Sequence, residues 1–133
     1  MKKVIVTVSQ AEDGSFWCHT EEDVFDSGLN GAGATVAEAK EDLMMCLEES
    51  KKDVQAHGGN VFPVEFEYKY DLQSFFEYFS FLNVSDIAKR AGINPSLMRQ
   101  YARGIKTAGE KTYGKLSACI DNISKELSAA TFR

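Results

Sequence analysis

The chain has 133 residues, 44% of them hydrophobic, enough for a buried core and fitting one domain or two small ones. No apolar run approaches the roughly 20 residues of a membrane span, and the start, MKKVIVTVSQ, has no cleavage site behind a long apolar stretch, so a soluble, cytoplasmic protein without a membrane partner is expected. The net charge of −5 hides a division: before Asn83 six Lys/Arg stand against sixteen Asp/Glu, net −10, and from Asn83 onward nine stand against four, net +5.

The β-branched run KKVIVTVSQ, residues 2–10, predicts a strand. A turn at Glu12, Asp13 and Gly14 then leads into a second strand from Ser15 to Thr20, making a hairpin. A weaker third strand is expected over Val24 to Leu29, with NGAGAT after it breaking regular structure. Thr35 and Glu38 have capping-box spacing, and the apolar positions Val36, Ala39, Leu43, Leu47 and Val54 predict a long amphipathic helix ending at Gly58 and Gly59. In VFPVEFEYKY, residues 61–70, Phe62, Val64, Phe66 and Tyr68 alternate with Glu65, Glu67 and Lys69, a strand whose Pro63 belongs at an edge or a strand start.

Beyond this the pattern is helical. DLQSFFEYFSFL predicts a helix with Leu72, Phe75, Phe76 and Phe79 on one side. In VSDIAKRAGINPSLMRQYAR, Ala88 lets two helices approach and Gly92 takes the turn, while Ile87, Ala91, Ile93, Met98 and Tyr101 fill the crossing. Asn94 caps the second helix and Pro95 takes its first position. The opposite face then carries Ser96, Arg99, Gln100 and Arg103, and Arg and Gln are the types that pair bidentately with guanine and adenine edges. With Ser85, Asn94 and Lys106 these make the candidate DNA-binding set for operator DNA. A last helix is expected after a second capping-box spacing, Thr107 to Glu110, with Tyr113, Leu116, Ile120, Ile123 and Leu127 as its apolar face.

The expected class is α+β: a small three- to four-stranded sheet with one covering helix over residues 1–70, followed over 71–133 by an all-α helix-turn-helix domain that also dimerises. Neither catalysis nor a cofactor is expected. Asp13, Glu21, Glu22, Asp23 and Asp26 lie close in sequence and mostly in turns, which reads as a solvated acidic surface and no metal site. His19 and His57 have no Ser or Cys context suggesting a triad, and Cys18, Cys46 and Cys119 lack any CxxC, so they read as buried free thiols.

Both halves resemble the HicB-type antitoxins of bacterial toxin–antitoxin systems. AEDGSFWCHT is similar to the family's Asp-Gly followed by an aromatic strand, ATVAEAKEDLMMCLEE to its threonine-started helix, and DIAKRAGINPSLMRQYARG to the helix-turn-helix of some members. Where typical members carry an Asp-Leu-Pro-Gly-Cys-like segment this chain has EEDVFDSGLNGAG. The resemblance implies a truncated ribonuclease H-like first domain that holds a small basic ribonuclease toxin (HicA-like) inactive, and a second domain that forms a homodimer or higher homo-oligomer and represses the operon. The acidic first half suits that role, because a toxin that holds RNA must carry positive charge. The alternative reading is a one-component repressor with a ligand-binding first domain.

Overall fold

The computed structural model describes all residues, Met1–Arg133. The strands are β1 (Lys2–Gln10), β2 (Phe16–Thr20), β3 (Asn30–Gly33) and β4 (Val64–Tyr70); the helices are α1 (Val36–Ala56), α2 (Leu72–Tyr78), α3 (Val84–Ala91), α4 (Pro95–Ala102) and α5 (Glu110–Ala129). The strands form one mixed sheet in the order β3-β2-β1-β4, with β1–β2 and β2–β3 antiparallel and β1–β4 parallel. Two compact units result, Met1–Tyr78 and Phe79–Arg133. No helix is long and apolar enough to cross a membrane.

In the first unit, Val4, Val6 and Val8 of β1 and Phe16 and Cys18 of β2 point to one sheet face and meet Val36, Ala39, Leu43 and Leu47 of α1, all buried. The cap of α1 forms as its spacing predicts: the Glu38 N–H donates to Thr35 Oγ1 at 3.1 Å, while the Glu38 carboxylate accepts from the Ala34 N–H at 2.8 Å. At its other end His57 is the C-cap and Gly58 has a φ of 77°. The hairpin turn also stands, with Gly14 at a φ of 88° and Asp13 accepting from the Ser15 N–H.

The third strand is displaced from its expected place. Val24–Ser27 is a tight turn, closed by a bridge between its ends and with Phe25 and Asp26 both at positive φ, whereas the strand lies on the glycine-rich NGAG. The reason is steric. A Cβ at Gly31 would sit 2.3 Å from the Ala39 carbonyl oxygen, and one at Gly33 would sit 2.5 Å from Glu38 Cβ, so the glycines let α1 lie directly on this strand.

The expected class is corrected as well. The chain is α+β with one four-stranded mixed sheet and five helices, and a separate all-α helix-turn-helix domain over 71–133 is not evident. The sheet has two covering helices rather than one. Helix α2, expected to open the helical half, packs on β1, β4 and α1. Asp71 ties it there: its carboxylate accepts from the Gln10 N–H at 3.0 Å and from the Ser74 N–H at 2.8 Å, and its own N–H donates to the Val8 carbonyl. Leu72 and Phe76 are buried as a result.

In the second unit α3, α4 and α5 bury Ile87, Ala88, Ile93, Met98, Leu116 and Cys119. Asn83 caps α3, accepting from the Asp86 N–H, and Gly92 ends it in the left-handed region at a φ of 74°. The last helix starts differently from its expected box: Gly109 is its N-cap and no side chain caps it.

Candidate nucleic-acid interface

Helix α4 is eight residues long and is held by its caps and by one buried side chain, Met98. The Asn94 side chain accepts from the Leu97 N–H at 3.1 Å, and Pro95 occupies the first turn. This uses the Asn94 side-chain oxygen for capping, so that atom serves the fold. With Met98 turned inward and Tyr101 half-buried, Ser96, Arg99 and Arg103 are exposed and Gln100 is half-buried.

Arg99 Nη1 donates to Ser85 Oγ at 2.7 Å, which joins the start of α3 to the middle of α4. The guanidinium has five donors in a fixed fork, so one bond to Ser85 orients it and does not exhaust its donors. Arg103 is the C-cap residue of α4. After it the Ile105 N–H donates to the Gln100 carbonyl at 2.9 Å, a turn that carries the exposed Lys106. The structure therefore brings Ser85 and Arg99 into contact and sets Ser96 and Arg103 on the exposed side of one helix; Asn94 and Gln100 are more committed to the fold. Arg90, by contrast, is ion-paired with Glu126 of α5.

Two clusters escaped the sequence reading. Lys40 Nζ lies 3.5 Å from the ring centroid of Tyr78 and 4.1 Å from that of Tyr68, and donates to the Tyr70 hydroxyl at 2.7 Å. Burial lowers its pKa from the ordinary lysine value and raises that of Tyr68. The signal was available, since Lys40 is four residues from Val36 and three from Leu43, on the inward stripe of α1. The other cluster is the sheet face away from α1, where Trp17 and Ile5 are 44% and 39% exposed and Trp17 Nε1 donates to Ser15 Oγ. Strand alternation places both there, but nothing in the pattern tells which face the helices leave open.

The acidic residues of the hairpin region do not converge: no group of three or more His, Cys, Asp or Glu side chains is placed to hold a metal ion. Asp13 instead accepts from the N–H and hydroxyl of Ser15, which lowers its pKa. All three cysteines are free; Cys18 and Cys119 are buried and Cys46 is half-buried. Burial raises the Cys18 pKa to about 11, the profile of an inert thiol. No protein-family model, no curated protein and no solved structure matches the chain.

Proposed function

We propose that this protein is a DNA-binding antitoxin of the HicB type, acting in the cytoplasm. Its unit Met1–Tyr78 neutralises a small basic ribonuclease, and its unit Phe79–Arg133 places α4 against operator DNA to repress transcription. The observation that carries the reading is the opposite charge of the two units. With the boundary after Tyr78 the count is unchanged, six basic against sixteen acidic residues in the first and nine against four in the second. An acidic surface attracts a basic toxin and competes with its RNA, and a basic one lies against phosphates.

Arg99, oriented by Ser85, and Gln100 read base edges in this proposal, while Ser96, Arg103 and Lys106 serve the backbone or neighbouring bases. One helix in one groove rarely gives sufficient affinity, so a homodimer through residues 83–133 presents two copies of α4 to paired half-sites. The C-terminal half of α5 suits that pairing: on the same stripe as buried Leu116, Ile120 and Ile123 are half-buried and Leu127 is 69% exposed.

Co-expression with the small basic protein encoded beside it, followed by co-purification and gel shifts on the upstream DNA, tests the reading. A stable complex and a specific shift are expected. A shift that responds to a small metabolite, with no protein partner recovered, moves the assignment to a one-component repressor.

A further inference from the structure

The sheet ends in two edges that are treated differently. At the β3 edge the Ala32 N–H donates to the Asp42 carboxylate of α1 at 2.9 Å, so a helix side chain closes it. No comparable bond closes the β4 edge at Phe66 and Tyr68. The parallel pairing fixes which backbone groups face outward there. Lys2 donates to the Pro63 carbonyl and Asp71 donates to that of Val8, so Pro63 and Asp71 face β1. By alternation Glu65, Glu67 and Lys69 also face β1, and the N–H and C=O of Phe66 and Tyr68 point away from the sheet. A strand edge that turns the N–H and C=O of Phe66 and Tyr68 outward is a template for another strand.

We infer that the β4 edge binds the β4 edge of a second copy of this chain, antiparallel about a two-fold axis at Tyr68, to form one continuous sheet. The charge pattern selects this partner and this register. Centred on Tyr68, each Glu67 lies opposite Lys69 of the other copy, in the more closely spaced type of cross-strand pair, and Phe66 lies opposite Tyr70. Tyr68 exchanges its N–H and C=O with its symmetry mate. Centred on Phe66, Glu65 would oppose Glu67 twice; centred on Glu67, that carboxylate would face its own copy. In the chosen register Glu65 meets Asp71 beyond the strand end, but the Asp71 carboxylate is already held by two backbone N–H groups.

The inference is independent of the DNA and toxin assignments. Its test uses the full chain and side chains that are exposed in β4, so the fold is left in place. Sedimentation equilibrium on wild type, Glu67→Lys, Lys69→Glu and the double swap should show the mass halved in each single variant and restored in the double. Where the helical unit holds the same two copies together, the mass stays that of a dimer, and its dissociation constant is read instead, raised in each single variant and restored in the double. Equal mass and equal dissociation constant in all four proteins overturn the contact, and so does a wild type that sediments as a monomer. Loss in the single variants without recovery in the double overturns the Tyr68 register and the proposal with it.

Discussion

Arg99 is the residue on which the DNA reading turns. Its side chain is exposed yet tethered to Ser85, so less freedom is lost when it meets a base. Arg99→Ala is expected to cost about 1–3 kcal/mol on a specific operator and to relax preference at one base position. Gel-shift titrations at fixed salt measure this, and equal weakening on random DNA would make Arg99 a phosphate contact instead. Cys18 makes a different kind of prediction. Its folded pKa of about 11 stands above the ordinary 9.0, so the neutral thiol is the form the core favours. Its contribution is present in full below pH 9.0 and is lost as pH rises from there through about 11, because the unfolded chain releases the proton first. Tyr68 and Tyr70, both raised, act in the same direction, and Lys40, lowered, acts in the opposite one. Urea midpoints measured across that window should therefore fall less steeply in Cys18→Ala than in wild type, whatever the variant's lower starting stability.

The elements differ in how much of them the residues announce in advance. Helix α1 could be read from end to end, because its cap, its apolar stripe and its terminal glycines are all local and agree with one another. Strand β3 could not, since glycine normally weakens a strand and here is required by the close approach of a helix that no local pattern reveals; only the placed backbone of Ala39 and Leu43 shows why. Gly31→Ala should accordingly cost about 1–3 kcal/mol or more by chemical denaturation, since backbone and not a flexible side chain must yield. Helix α2 was recognised as a helix and placed with the wrong partner: the spacing of Leu72, Phe75 and Phe76 shows an apolar side but not the sheet that covers it. Thr107 and Glu110 had the spacing of a cap without forming one, as short motifs do when no neighbouring residue fixes the turn. At the candidate interface, the caps and the inward residues of α3 and α4 were legible, while the Ser85–Arg99 bond joins positions fourteen apart and needed the fold. Asn94→Ala separates the two kinds of role. It should lower the unfolding free energy by about 1 kcal/mol through the lost cap, and leave the base preference of DNA binding as in wild type.

At the scale of the whole molecule, charge is distributed by unit rather than scattered, and the two proposed partners respond to it in the same physical way. Association with a basic ribonuclease should be fast at low salt and slow as salt rises, since screening shortens to about 8 Å at physiological ionic strength, with dissociation changing much less. Stopped-flow mixing at several salt concentrations checks it; an association rate indifferent to salt would remove the role given to the acidic unit. Neutralisation should also be separable from repression. Full-length protein with Arg99 and Arg103 both changed to alanine is expected to rescue growth against the toxin while losing the operator shift, and rescue that depends on those arginines would favour the simple repressor.

The single tryptophan stands on the open sheet face, half in water, its indole N–H given to Ser15. That position makes the molecule its own optical reporter. An indole leaving water for a protein surface emits at shorter wavelength, so any partner that settles on this face shifts the intrinsic fluorescence of Trp17 without a label, and a partner lacking tryptophan can be titrated by colour alone.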